Sequence, residues 1–483
     1  MTRKKEMIEK ELQNGQVVEA YPLTQAQSLM YWIFNTYGKN PAVLNIGTGQ
    51  YWKDDFREDL LRQAIEEAVE RCDTMRLRFS PDQQYGLVQY LADKAEIEIE
   101  DCDMSDISYE ESYKIIKEWS KIPTDFIEKP LHVIKIMHLA DGLNGLYVRF
   151  QHLAFDGYSS KMFISDVMAI YLHKKCGFPY PKPMRSYIEA VKGELAYLNS
   201  DREKEDTKYW MERYSKETEP IYNDYLLDNR LFKARKETGN PDLRYVEMFE
   251  GEHPESRTFY NELSAEQTNK IAEVCKKTGM TIPCVLMLGL RTALSAFNEN
   301  QEDVSFKFMI NRRSNLVAKT SGGIRMLFFT LRSIISPDTT FEQAAGILDD
   351  EEQEIFHHCD FHTLKMYHIK HTAMKMKSLS QTYDTLSFSY HSPVDTPAEN
   401  DEIRATVKGE WYNNDYSCQN LYLTVKHRPS DNGLEFIFEY RIFEDSLEDL
   451  KVLYEKMIKA IEMGIDNPQI TIGEILEEIK LDK

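Results

Sequence analysis

Positive charge is what this chain is shortest of. Lys and Arg total 59 against 80 for Asp and Glu, a net charge of −21 at pH 7. Such a field repels phosphate backbones, which argues against nucleic acid as a partner and against general adhesion to anionic membranes. Cysteines are also few, seven in 483 residues. Cys72, Cys102, Cys176, Cys275, Cys284, Cys359 and Cys418 are scattered and never form a C-x-x-C pair. That argues against a disulfide framework and a structural zinc site, and fits reducing cytoplasm. No stretch approaches the roughly 18 uninterrupted apolar residues of a membrane span. No apolar h-region follows the charged opening Met1-Thr2-Arg3-Lys4-Lys5-Glu6, so neither membrane spanning nor export is expected. G-x-G-x-x-G, Walker, H-E-x-x-H and EF-hand patterns are missing, as are low-complexity segments. His357 and His358 adjoin, but no third ligand stands at suitable spacing, so no metal is expected.

What remains is a globular composition, with 42% hydrophobic and 29% charged residues. The length suits two large lobes by a prior of about 100–200 residues per domain. Residues 57–72 carry Leu60, Leu61, Ala64, Ile65, Ala68 and Val69 at helical spacing. His132–Leu139 and Leu146–Leu153 are β-rich runs around a turn at 140–145, which predicts a hairpin. Ser159 or Ser160 is suited to cap a helix over 160–175, ending near Gly177. In the second half a strand at 256–262 precedes a helix opened by Ser264-Ala265-Glu266-Gln267, then a second helix from Thr281 and a buried strand at 304–310. Further strands are expected at 328–335, 385–390, 421–427 and 434–440, with an amphipathic helix at 446–463.

Residues 179–255 change character, with Pro179, Pro181 and Pro183 at their start and a poorly periodic run at 228–255. The expected organisation is therefore a lobe at 1–178, a crossover at 179–255 and a second lobe at 256–483. Helices and strands alternate in both halves without a strict βαβ period. The fold class is α/β, an α+β sandwich in two similar lobes.

The chemistry-bearing segment is Gln151-His152-Leu153-Ala154-Phe155-Asp156-Gly157, where a strand gives way to a helix. A histidine fixed at an element end is placed to take a proton from an amine or hydroxyl attacking an activated acyl group. Asp156-Gly157 permits a sharp turn beside it.

This loop resembles the H-H-x-x-x-D-G signature of the condensation domains of nonribosomal peptide synthetases, within the superfamily of chloramphenicol acetyltransferase-like enzymes. Other segments are similar to that family's motifs in the same order. Tyr21-Pro22-Leu23-Thr24-Gln25-Ala26-Gln27 resembles Y-P-L-S/T-x-x-Q, and Arg71-Cys72-Asp73-Thr74-Met75-Arg76-Leu77-Arg78-Phe79 resembles R-H-E-x-L-R-T-x-F. Tyr209-Trp210 matches Y-W, Gly323 and Arg332 match the ends of G-x-F-V-N-T-x-x-x-R, and His358-Cys359-Asp360 resembles H-Q-D. Leu421–Thr424, Phe436–Tyr440 and Asn467-Pro468 complete the order. Gln151 replaces the first His, Cys72 another His, Arg325 a Phe and Leu327 an Asn. Substrate choice is where these departures bear most.

The resemblance implies two acetyltransferase-like lobes in a V, with His152 at the floor of a tunnel between them. It implies a phosphopantetheine-borne acyl thioester on an acyl or peptidyl carrier protein, a small-molecule amine acceptor, no bound metal or coenzyme, and an amide product. His152 would be general base or positioner of the amine. Asp156 would be structural, paired with Arg312 or Arg313 from the other lobe. Gly157 would supply a backbone N–H to the oxyanion or serve as a turn residue. Gln151, Arg76, Arg312 and Arg332 would be structural or substrate-binding residues near the site. The cluster Lys365, His368, Lys370, His371, Lys375 and Lys377 reads as a solvated face or as a dock for an acidic carrier protein. The length matches a single condensation domain, so a free-standing cytoplasmic enzyme is expected. The rivals are an acyl-coenzyme A-dependent O- or N-acyltransferase, an epimerising relative, and a non-catalytic condensation-like recruitment module.

Overall fold

The fold is taken from a computed structural model. It describes residues 7–37, 40–53, 56–198, 200–248, 253–378, 380–392, 407–428, 431–442 and 446–481. The chain divides into two compact units. The first gathers the described parts of Met1–Glu203, Asn311–Met326 and Asp395–Tyr416; the second gathers Lys204–Ile310, Leu327–Val394 and Ser417–Lys483. The partition is thus not linear. The stretch 179–255 is shared, its helix Tyr187–Tyr197 lying in the first unit and Arg230–Thr238 in the second.

The first unit holds a five-stranded sheet ordered Val407–Tyr412, Asn45–Trp52, Asn144–Gln151, His132–Leu139 and Ile99–Met104. The predicted hairpin is its centre, with His132 opposite Phe150 in antiparallel register and a 3-10 turn at Ala140–Gly142 closing it. Two helices, Glu58–Arg71 and Gly157–Cys176, pack together beside it. Leu61, Ala64, Ile65, Ala68 and Val69 of the former are buried, the stripe its 3/4 spacing predicts. Phe163 of the latter meets Phe150 edge-on, ring centroids 5.7 Å apart. A smaller sheet runs Ile8–Glu11, Val17–Pro22, Gly86–Leu91 and Leu77–Asp82.

The second unit is built on a six-stranded mixed sheet: Ser256–Leu263, Leu434–Arg441, Leu421–His427, Leu386–His391, Asp303–Ile310 and Leu327–Ile334. Behind it the helix Ile282–Phe297 is buried from Cys284 onward. An all-round apolar helix of this kind is a core helix. It lies so close to the helix Leu447–Asp466 that a Cβ on Gly289 would fall 2.3 Å from Ile461 Cγ1. The motif residues Tyr209-Trp210 and His358 meet in this unit. Tyr209 stacks on the His358 ring at 3.7 Å, and His358 Nδ1 lies 2.7 Å from Asp206. Trp210 stacks between Tyr214 and Phe329.

The expected basic face on helix Thr363–Ala373 is corrected by burial. Lys370 points inward to Asp384 at 3.3 Å, leaving His368, Lys375 and Lys377 exposed. All seven cysteines are free. Among the described residues no single helix is long and apolar enough to cross a membrane, and no group of three or more His, Cys, Asp or Glu is arranged to hold a metal.

Candidate active site

The loop begins where the strand Asn144–Gln151 runs out of partners. Its last pair is Asn45 with Gln151, after which the backbone is fastened point by point. Gln151 N–H donates to the Leu131 carbonyl at 2.9 Å and His152 N–H to the Leu44 carbonyl at 2.7 Å. The Gln151 carbonyl then accepts from Ala154 at 2.9 Å and Phe155 at 3.2 Å, a tight turn. Phe155 stacks on Phe150 with centroids 4.3 Å apart, pinning the turn to the sheet. His152 is therefore held by a backbone with little freedom.

The helix starts earlier than the serines suggest, because Asp156 is its N-cap. The Asp156 carboxylate accepts from the Ser159 N–H at 2.9 Å, and Ser159 Oγ accepts from the Asp156 N–H at 2.8 Å, a reciprocal capping box. Ser159 is the third residue of the helix, and the D-x-x-S spacing is the signal for it in the sequence. Gly157 is the first residue of the helix, where an N–H has no intrahelical acceptor.

The partner of Asp156 is Arg313. Nη1 lies 2.9 Å from Oδ2 and Nη2 2.9 Å from Oδ1, a two-point fork with both side chains almost wholly buried. Arg313 Nη2 also donates to the Gly323 carbonyl at 2.9 Å, and the guanidinium lies over the Tyr158 ring at 4.4 Å. The Arg325 backbone N–H adds a third contact to the carboxylate at 3.0 Å. Of the two expected candidates Arg313 takes this role, and Arg312 pairs with Glu194 at 3.4 Å. One expectation is corrected: the arginine is not borrowed from the other unit, because Asn311–Met326 packs as part of the first. That segment is seated by its glycines. Gly323 has φ +93° and lies so close to Tyr187 that a Cβ would fall 2.0 Å from its ring, and one on Gly322 would fall 2.4 Å from Thr74 Oγ1.

Electrostatics divide the loop. Burial alone would raise the Asp156 pKa, but the charge and hydrogen bonds of Arg313, with the N–H groups of Ser159 and Arg325, hold it down at about 2. It is a permanent anion. His152 is deep in the structure yet keeps some accessible surface. Burial lowers its pKa below the ordinary imidazole value, against the opposing pull of the Asp156 charge and of backbone groups at His152 and Phe155. Among the described residues its buried Nδ1 has no hydrogen-bond partner. A neutral imidazole beside a fixed carboxylate is equipped to accept a proton, and the carboxylate to stabilise the cation that results.

Gln151 is fully buried. Its Oε1 accepts from the Leu153 N–H at a long 3.4 Å, and its Nε2 finds no acceptor among the described residues. Arg76 donates from Nη1 to the Ala92 carbonyl at 3.2 Å. Arg332 belongs to the second unit and forks onto Asp303, at 2.8 and 2.7 Å, while reaching the Thr218 carbonyl at 2.8 Å. The loop, Arg313 and the backbone of Arg325 are the residues brought together.

Comparison with known proteins agrees on one family. The family described as "Condensation domain" matches residues 17–478. One of the plipastatin synthase proteins of Bacillus subtilis (strain 168) is 20% identical over 460 residues, covering 94% of this chain and 17% of its own length. Surfactin synthase subunit 1 of the same strain is 23% identical, covering 94% of this chain and 12% of its own. The chain thus spans less than a fifth of the length of these curated relatives. Among solved structures, the first condensation domain of the calcium-dependent antibiotic synthetase, in complex with a substrate analogue, matches with TM-score 0.74 at 17% identity, covering 94% of this chain and 99% of that one. A mutant starter condensation domain of rhizomide synthetase in complex with C8-CoA matches with TM-score 0.73 at 15% identity, over 94% and 96%.

Proposed function

The chain belongs to the condensation-domain family, whose reaction is amide formation by acyl transfer, and we propose that it joins a carrier-bound acyl thioester to an amine, with His152 handling the amine's proton. The observation that carries this reading is the neutral, fastened imidazole beside a carboxylate that is already committed to Arg313.

In the proposed reaction the amine nitrogen attacks the thioester carbonyl and a C–N bond forms. The nitrogen's proton passes to His152, and the imidazolium is steadied by Asp156. Asp156 itself moves no proton, since its fork to Arg313 holds its pKa at about 2. The developing oxyanion is met by the N–H of Gly157, which has no acceptor inside its own helix. Collapse breaks the C–S bond, and the thiolate leaves with the proton from His152. Gln151 supports the turn through Leu153, and we assign Arg76, Arg312 and Arg332 to positioning rather than chemistry. The acyl arm would be phosphopantetheine on an acyl or peptidyl carrier protein. A cytoplasmic setting suits this chemistry, because that thiol and seven free cysteines both call for reducing conditions.

A second reading has a specific support, the likeness to a starter domain in complex with C8-CoA. In it the acyl donor is a coenzyme A thioester. One experiment separates the two: intact-mass analysis of acyl-loaded carrier protein and, in parallel, of acyl-coenzyme A, each with a panel of amines. Amine-dependent loss of acyl mass from the carrier supports the first reading, and from coenzyme A alone the second. Loss to water without any amine overturns both.

A further inference from the structure

Arg325 starts one hydrogen bond from the catalytic loop, its backbone N–H resting on Asp156. Among the described residues its neighbours include the guanidiniums of Arg312 and Arg313 and the carboxylates of Glu194 and, through the backbone N–H, Asp156. Both carboxylates are engaged: Arg313 forks Asp156, and Arg312 pairs with Glu194, which also accepts from the Gln25 N–H. Among the described residues, Arg325 has no carboxylate at ion-pair distance. Its guanidinium makes a long hydrogen bond to Ser321 Oγ, 3.4 Å, and its Nε is buried with no acceptor. Burial pushes its pKa down; Tyr187 and Glu194 oppose this, while Arg313 and Arg312 add to it. Removing a cation from water without a counter-charge is costly. The side chain nonetheless keeps some accessible surface.

We propose that Arg325 receives a carboxylate carried by one of the two substrates. The one positive charge of Arg325, with its Nε unsatisfied among the described residues, is cancelled by a single carboxylate, and a phosphate dianion would overshoot it. The planar fork of a guanidinium matches a carboxylate at two points. The residue stands where the motif its segment resembles has Phe, so a place suited to an apolar contact here carries a charge. This inference rests on the loop being the acyl-transfer site.

The test is thermal unfolding of the full chain in chloride-free buffer with paired probes. L-alanine against L-alaninamide tests the acceptor, and succinyl-pantetheine against butyryl-pantetheine tests the donor. In one pair the carboxylate-bearing probe should raise Tm by about 2–3 °C at saturation and its neutral counterpart should not. The responding pair identifies which substrate carries the group. The shift should vanish in Arg325→Met, persist in part in Arg325→Lys, and survive in His152→Ala. Arg325→Met alone should melt at or above the wild-type temperature, because an uncompensated cation has gone; should it not fold, Arg325→Gln replaces it. Equal responses to both members of each pair in the wild type, or an undiminished difference in Arg325→Met or Arg325→Gln, overturns the proposal. Binding is read without turnover, so a negative result with amine-dependent acyl transfer intact leaves the proposed reaction standing.

Discussion

Asp156 and Arg313, 157 residues apart in sequence, form a two-point ion pair at 2.9 Å on each arm with both side chains buried. The same carboxylate caps the helix that follows the loop. One group therefore sets the shape of the loop, anchors a distant segment and supplies the fixed negative charge beside His152.

Breaking this pair should cost more than removing it. Asp156→Ala leaves a buried guanidinium without its anion and strips the helix cap, a loss of roughly 3–5 kcal/mol in folding stability. Asp156→Ala combined with Arg313→Met should recover part of that loss in urea unfolding. A double variant as unstable as the sum of the two singles would show that the fork carries no coupling energy.

His152→Ala should lower the amine-dependent rate by about 10²–10⁴-fold, the usual contribution of a proton-transferring side chain. Its circular dichroism and Tm should stay close to wild type. Unchanged product formation from the folded variant would remove His152 from the chemistry.

The pH profile has a definite sign. Burial holds the His152 pKa below the ordinary imidazole value, so the base is already free at neutrality. With amine saturating, the rate of the bound complex should lose nothing to His152 protonation from about pH 8 to 6.5 and fall on that account only below that range. Asp156 is an opposing, raising influence. Asp156→Asn should therefore move the acid limb to still lower pH in whatever activity it retains. An inflection above pH 7 in kcat at saturating amine, lost in His152→Ala, would contradict the assignment.

Acid sensitivity of the fold is expected from His132, whose burial, aided by the Arg78 charge, pushes its pKa down to about 4. The unfolded chain takes up a proton at pH values where the folded chain does not. Stability should therefore fall as pH drops from about 6.5 and level off near 4, by an amount on the order of 3 kcal/mol from this residue. His132→Gln should flatten that slope in urea midpoints measured between pH 7 and 4. An equal slope in the variant would place the sensitivity elsewhere.

Gly323→Ala combines a positive φ with a Cβ 2.0 Å from the Tyr187 ring, whereas a Cβ on Gly346 meets nothing within 4 Å. The first substitution should destabilise the chain by more than about 2 kcal/mol and reduce acyl transfer, because the Gly323 carbonyl holds Arg313. Gly346→Ala, in an open helical position, should stabilise by roughly 0.5–1 kcal/mol. Calorimetry of the two variants side by side checks both signs.

Much of this is legible in the sequence wherever one element carries its own signal. The periodic helix at Glu58–Arg71, the hairpin around residues 140–145 and the buried strand Asp303–Ile310 lie close to their expected bounds. Asn45–Trp52 gives no clear strand signal because Gly47 and Gly49 interrupt its β-forming residues, and its place is set by pairing with Asn144–Gln151. The helix Gly157–Cys176 starts three residues before the position its serines predict, since an aspartate caps it and Ser159 lies inside it. The choice between Arg312 and Arg313 is invisible in the sequence, because it depends on a backbone turn in which Arg312 takes φ +52°. Glu194 and the exposed remnant of the basic helix face follow from packing alone.

The non-linear division of the chain has a consequence for synthesis. The loop residues leave the ribosome long before Arg313 does, and at roughly 5–20 residues per second the delay is about 8–30 s. Over that interval Asp156 can cap its helix but has no guanidinium to neutralise it, and the sheet edge at Asn45–Trp52 waits longer still for Val407–Tyr412. The first unit is begun first and completed late, so the Asp156–Arg313 pair forms only after a good part of the second unit has been made.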